Sequence, residues 1–584
     1  MTTHYTLPDE ATKILLEFLL NDSKLAVPQH FLRFKNSVRF NSPSNTKSPF
    51  LPTSLKISES CIALWALLAV LTNGILNLRY NTPIQDLTSD INIDAAILYL
   101  ASHFFLTFNG ETSISPRLIA RGISYDLHKN ISDPYRASLT NIYQTRDNKF
   151  FLLHNSLNAT PGLNLLGLPE DITKLNLQKL FPNQQNPSKE DWFNNFNNHI
   201  KKKFDSKSLD ILTNERYKQA GTICYKYDDF LKTDHGKAIQ NHSLYQIKKI
   251  PDSTLLPPIP FNNSPKTLSH STKKNSKPLE GIKVIDCSKI IAGPVIGKIL
   301  ASLGATVLRI SCHDTPEYAF FLYDSNLGKR DVNLNLKSKP DKLIFDSLLN
   351  DADIIIDGYR PGVLDKLGFS KNYLSFIAER RKKGIIIVDE NCYGFDGPLK
   401  NRSGWQQVAD CLTGVAFKQG EFLGRKNEPV LPFFPTSDYL VGVTGACAAL
   451  QALYRRATEG GSYLVQTSLC QIDLFLLKLG EIPTQFQNKI KQKYINDPEN
   501  PANNVFKLRF FNDMQSMNMA IFSYLKTFHQ TLVLNPSNIS LTDSKWGKCD
   551  EIVGYLKSPA QFNTFDISFE IGTCQRGFYE PKWP

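Results

Sequence analysis

Residues 279–310 read LEGIKVIDCSKIIAGPVIGKILASLGATVLRI, and the alternation inside this stretch decides the fold class. Residues 283–286 (KVID) are a short β-branched run. A helix-compatible segment follows at 294–303, Gly304-Ala305 breaks it, and 306–310 (TVLRI) is a second apolar run. Further buried-strand patterns at 354–356 and 385–388 each follow a helical stretch. Strands alternating with helices predict a parallel sheet with helices on both faces. Such sheets take ligands at the carboxyl ends of their strands. The first of those ends carries Ala292-Gly293-Pro294. Glycine permits close backbone approach, proline suits a first helical turn, and a helix N-terminus there favours an anion. The stretch is neither GxGxxG nor a P-loop, which argues against nicotinamide and nucleoside-triphosphate chemistry.

The chain has 584 residues, enough for two or three domains. Hydrophobic residues make up 41% and charged residues 21%, a globular composition with material for a sizeable core. The 67 basic and 55 acidic residues leave +12, a mild excess that suits an anionic, phosphate-rich partner. The short basic runs 201–203 and 380–383 read as solvated surface. With no zinc finger, RNP-like motif or sustained basic helix, no nucleic-acid partner is expected. None of the ten cysteines forms a close CxxC pair, so no metal site is expected. Several sit in apolar runs and fit a reducing, intracellular setting. The cytoplasm is the first expectation, with mitochondrion and peroxisome left open. Residues 1–10 lack a signal-peptide pattern. The stretch 61–76, CIALWALLAVLTNGIL, is short for a membrane span and reads as a buried core helix, so no membrane association is expected.

Residues 257–277, PPIPFNNSPKTLSHSTKKNSK, have no apolar periodicity and read as a linker, placed at 261–278. The linker divides the chain into an N-terminal region, 1–260, and a C-terminal region. The latter comprises a sheet-forming half at 279–480 and an irregular extension at 481–584.

Seven elements in order now carry a resemblance. They are the opening stretch 279–310, Asn326-Leu327-Gly328-Lys329-Arg330, ADIIIDGYRPGVL at 352–364, NCYGFDGP at 391–398, GWQQVADCLTG at 404–414, TSDYLVG at 436–442 and GGSYLVQTSL at 460–469. Together they resemble the family III CoA-transferases, the group that includes formyl-CoA transferase, carnitine CoA-transferase and α-methylacyl-CoA racemase. GWQQVAD is most similar to a fungal branch. The N-terminal region resembles other parts of the same family. Residues 61–102 can be laid against 445–478 as a faint internal repeat, and 133–169 and 215–250 resemble the start and end of the family's small domain, about 130–255. The implied fold is α/β: a Rossmann-like parallel-sheet large domain that binds CoA, plus a smaller α+β domain. A rearranged duplication would fold as an intrachain pseudo-dimer, with an ordinary homodimer as the other arrangement. Residues 481–584 look too short and irregular for a second small domain.

The resemblance also implies chemistry. Asp438 stands at the family's catalytic aspartate, which attacks an acyl-CoA thioester and carries first an anhydride, then an aspartyl-CoA thioester. Without the resemblance, an aspartate at a helix start reads as a cap. Ala292, Gly293, Pro294, Lys329, Arg330 and Arg360 are the candidate contacts to CoA, with Arg309 a further candidate for its phosphates. Coenzyme A and acyl-CoA are expected as substrates with a carboxylic acid, and no permanently bound cofactor is expected. Where the racemase branch has a histidine this chain has Trp405, which cannot be a base. An α-methylacyl-CoA racemase-like isomerase therefore stands as the alternative, beside a non-catalytic CoA-binding homologue. Ser311-Cys312, Ile291 and the missing glycine-rich covering loop depart from the family pattern. Asp410 reads as structural or as support for Asp438, and Tyr393, Trp405 and Tyr439 as packing residues.

Overall fold

In the computed structural model seven strands form the central sheet: β1 (Tyr245–Lys249), β2 (Lys283–Cys287), β3 (Thr306–Ser311), β4 (Lys329–Asn333), β5 (Ile354–Asp357), β6 (Ile386–Asn391) and β7 (Tyr463–Ser468). Their spatial order is β4-β3-β2-β5-β6-β7-β1. The structure describes residues 5–182, 184, 186–253, 255–261, 277–547 and 551–584; most of the linker read from the sequence, 262–276, lies outside them. Strands β2 to β7 pair in parallel. Val284, Ile285, Ile354, Ile355, Ile386 and Ile387 are all buried, as the continuous apolar runs require of a sheet covered on both faces. The chain reverses direction across the sheet between β2 and β5, and a crevice opens there at the carboxyl ends. β1 is antiparallel to β7 and comes from the N-terminal side of the linker.

Two long helices build the core beside this sheet. α1 (Ile57–Tyr80) is long and apolar enough to cross a membrane, but its apolar window is 89% buried inside the protein. It is the core helix expected around 61–76, extended at both ends. α2 (Ala292–Ser302) begins at the Ala-Gly-Pro turn and packs against α4 (Thr436–Glu459), which also touches α1; α3 (Gln406–Thr413) lies between α2 and α4 in sequence. α4 approaches α2 closely because glycines face it. A Cβ at Gly442 would lie 2.2 Å from Val295 Cγ1, and one at Gly445 would lie 2.5 Å from Ile296 Cδ1.

The faint repeat has a structural form. α4 leads through β7 into α5 (Leu469–Leu479). α1 leads through the strand Ser89–Asn92 into the helix Ile93–Tyr99. Ser89–Asn92 is flanked by Val38–Asn41 in parallel and by Ala560–Phe562 antiparallel, just as β7 is flanked by β6 in parallel and β1 antiparallel. Each edge strand comes from the far side of the linker, so the two halves exchange edges. Residues 481–584 also supply Ile539–Lys545 and Ile552–Leu556, an antiparallel pair extended by Thr107–Phe108. The N-terminal region carries its own antiparallel sheet, Asn141–Gln144, Phe150–His154 and Ala220–Ile223.

Candidate active site

A cavity of about 260 Å³ opens at the carboxyl ends of β2, β5 and β6. Lys289, Ile290, Ile291 and Ala292 come from the turn after β2; Gly358, Tyr359, Arg360 and Pro361 follow β5. Glu390, Asn391 and Cys392 end or follow β6, and Arg402 to Trp405 precede α3. Asp438 enters from the first turn of α4, and Ser156 and Leu157 come from the N-terminal region. Two of the approaches are strained. Ile290 has φ +73° and Phe434 has φ +59°, a conformation that costs a non-glycine residue about 1–3 kcal/mol. Each lies just ahead of a helix whose N-terminus meets the cavity.

Asp438 is half-buried, and among the described residues its carboxylate has no hydrogen-bond or ion-pair partner. Burial, then the nearby Asp473 carboxylate, raise its pKa to about 7. Asp473 of α5 is itself pushed up by burial while it accepts hydrogen bonds from Ser437 Oγ and, at 3.0 Å, Thr413 Oγ1. Asp410 is buried behind it, raised by burial and by Asp473 and Asp438, and accepts from Gln406 Nε2 at 2.7 Å. Glu390 faces the same cavity; burial and the charges of Asp438 and Asp357 raise it to about 8.

Cations line the cavity as well. Lys289 donates to Thr315 Oγ1 at 2.7 Å and lies 3.6 Å from Glu317. Arg360 is exposed at the rim, with no hydrogen-bond or ion-pair partner among the described residues. Arg402 is tied to the N-terminal region through both oxygens of Asp210, at 3.1 and 3.0 Å, and through Glu215 at 3.0 Å. Trp405 donates its indole N–H to Ser156 Oγ at 3.1 Å and stacks on His154 at 5.1 Å. Burial pushes His154 down to about 3, so that ring is neutral.

Of the candidate catalytic and CoA-contact residues read from the sequence, Asp438, Ala292 and Arg360 meet in this cavity, together with Ile291 and Trp405. Gly293 and Pro294 shape the helix start. A Cβ at Gly293 would lie 2.5 Å from Ser288 Cβ, and the Pro294 carbonyl accepts from Lys329 Nζ at 2.6 Å. Lys329 and Arg330 lie outside the cavity. Successive strand residues point to opposite faces: the Lys329 ammonium is buried 2.6 Å from Asp286, while Arg330 reaches Glu570 at 3.5 Å. Arg309 is likewise consumed, buried at 2.6 Å from both Asp331 and Glu317. Sequence reasoning missed Lys289, Glu390, Arg402 and Ser156. The first two stand at strand ends next to quoted motifs, a signal that could have found them. Ser156 and the partners of Arg402 come from the other side of the linker, where no local pattern points to the site. A second cavity, about 270 Å³, lies elsewhere beside Lys298, Tyr99 and Phe569; none of the motif residues that meet at Asp438 line it.

The profile of CoA-transferase family III matches residues 279–511. The chain is 29% identical to acetyl-coenzyme A transferase nodX of Hypoxylon pulicicidum, over 99% of this chain and 94% of that one. It is 29% identical to an acyl-CoA transferase of Gibberella moniliformis, over 92% of this chain and 87% of that one. Among solved structures it is similar to Rv3272 of Mycobacterium tuberculosis, with 19% identity, a TM-score of 0.36, and 52% of this chain and 98% of that one covered. With a cavity that gathers the motifs of the matched region around Asp438, residues 279–511 form a CoA-transferase family III domain, the chain is similar over nearly its whole length to fungal acyl-CoA transferases, and it is a CoA-transferase.

Proposed function

We propose that the enzyme moves CoA from an acyl-CoA to a carboxylic acid through covalent intermediates on Asp438. The observation that carries this reading is the Asp438 carboxylate itself, unpartnered among the described residues and facing the crevice where the sheet reverses. An Asp438 oxygen attacks the thioester carbon, the C–S bond breaks, and CoA leaves as the Asp438 acyl anhydride forms. CoA then attacks the Asp438 carbonyl carbon and releases the donor acid. The acceptor acid attacks the resulting aspartyl thioester, and CoA returns to the acceptor's acyl carbon. Lys289 and Arg360 stand on the cavity wall where a polyanionic cofactor would pass. Ser156 and Trp405 close the site from the N-terminal side.

Trp405 occupies the position of the racemase histidine and uses its only polar hydrogen on Ser156, so proton abstraction from that position has no base. The test is incubation with a panel of acyl-CoAs and isotopically labelled free acids, read by mass spectrometry. Exchange in the wild type with none in Asp438→Asn supports the reading. Exchange that survives Asp438→Asn removes Asp438 as the nucleophile.

A further inference from the structure

Glu390 is a second carboxyl in the cavity, and the anhydride chemistry on Asp438 does not use it. It is the penultimate residue of β6, which ends at Asn391, and its side chain lines the crevice at the carboxyl end of the strand. Its carboxyl lies across the end of the neighbouring strand: a Cβ built on Gly358 would be 3.5 Å from Glu390 Oε2. Among the described residues it has no hydrogen-bond or ion-pair partner. The adjacent Asp389, by contrast, is neutralised by Lys371 at 2.7 Å. Two unpartnered carboxyls thus face one small cavity, Glu390 from the sheet and Asp438 from α4.

We propose that Glu390 is the proton donor and acceptor for the sulfur of CoA. The proposal rests on Asp438 being the nucleophile. When the Asp438 oxygen attacks the thioester, the electron pair of the breaking C–S bond goes to sulfur and the Glu390 proton follows it. The products are the Asp438 anhydride, neutral CoA thiol and the Glu390 carboxylate. When CoA re-enters, that carboxylate removes the thiol proton as sulfur attacks. Each return of CoA restores the acid, and no proton is gained or lost over the cycle.

The electrostatics agree with the geometry. Glu390 is faced by Asp438 from α4 and by Asp357 from the end of β5, with Asp473 behind Asp438; Lys289, Arg360 and Arg402 line the surrounding wall, with the Cys392 thiol beside it. Burial first, and then the two carboxylates, raise Glu390 to about 8, against about 7 for Asp438. Between those values the pair holds one proton, on Glu390, and Asp438 is the anion. As the groups interact, the two titrations belong to the pair.

The test is the pH dependence of kcat/KM in wild type and Glu390→Gln, with the acyl adduct on Asp438 followed by rapid quench and mass spectrometry. The wild type should rise through about pH 7 and fall above about pH 8. Glu390→Gln should lose on the order of 10²-fold or more in kcat and lose the alkaline fall, while the adduct still forms on Asp438. Glu390→Asp should recover part of the rate. An unchanged alkaline limb in Glu390→Gln, with the adduct intact, overturns the role of Glu390 and leaves Asp438 standing. Absence of any adduct in the wild type overturns both. Matching thermal melts show that the variants are folded, so a rate loss with an unchanged profile also counts against the proton role.

Discussion

Glu59 and Asp438 hold the same place in two helices that pack against each other. Each is the third residue of a 24-residue helix, α1 and α4. The first is sealed and the second is open. Glu59 is 1% exposed and accepts a hydrogen bond from Tyr5 Oη at 2.8 Å; Asp438 faces the cavity. The prediction is one reactive carboxylate per chain. Glu59→Gln should keep kcat within about twofold, and the wild type should titrate with one equivalent of acyl adduct per chain, read by intact-protein mass spectrometry.

Glu59 also sets a pH dependence of stability. Burial raises its pKa to about 7. Between the unfolded value and about pH 7, the unfolded chain has lost a proton that the folded chain keeps. Stability therefore falls as pH rises through that window. Urea midpoints at pH 5 and pH 8 should differ less in Glu59→Gln than in the wild type.

Lys329 lies beneath the turn after β2, and its substitution separates a structural role from a cofactor contact. Lys329→Met leaves Asp286 buried without its partner, which should cost about 3–5 kcal/mol. Lys329→Met with Asp286→Asn should recover much of that loss. The denaturant midpoints of both variants decide it. A variant that keeps wild-type stability but binds CoA tenfold more weakly would return Lys329 to the ligand.

Arg360 behaves in the opposite way. It is exposed at the rim, so Arg360→Ala should leave the melting temperature unchanged and raise KM for acyl-CoA several-fold, with kcat nearly constant. The difference from wild type should shrink as salt is added, because exposed charges are screened.

Gly442 tests the helix contact that holds Asp438 in place. A methyl there would meet Val295 at 2.2 Å, so Gly442→Ala should destabilise by about 1–3 kcal/mol through overpacking. Gly442→Ala combined with Val295→Ala should be closer to wild type. Melting curves of the three variants measure the coupling.

The large sheet was legible because it depends on local order, and Asp438 was reached through the resemblance carried by TSDYLVG, without which it reads as a helix cap. The β-branched runs, the Ala-Gly-Pro turn and the TSD start of α4 lie in unbroken stretches of sequence. The roles of Lys329 and Arg309 were not legible. A basic residue on a strand reads the same whether it faces solvent, a ligand or a buried carboxylate; Asp286 and Asp331 come into range through the parallel pairing of β2, β3 and β4, and Glu317 through the folding back of the loop after β3. Glu390 stands at a strand end beside a quoted motif, but that local signal does not show what it faces. Its cavity is assembled from loops more than a hundred residues apart, and Asp438, which faces it, stands on a helix. The irregular look of 481–584 has its own cause: its strands are short and pair with segments from the other end of the chain.

The exchanged edge strands have a consequence for how the protein is made. β1 leaves the ribosome well before β7, the strand it must join, and Ser89–Asn92 waits longer still for Ala560–Phe562. Neither sheet can be completed by the half that begins it. Contacts so distant in sequence slow folding, and until they form each half carries an unpaired strand edge, the surface through which chains aggregate. Synthesis of this enzyme is therefore a period of exposure that ends only when the last edge strand arrives, and chaperone demand should track the translation of 463–562 rather than that of the apolar helix α1.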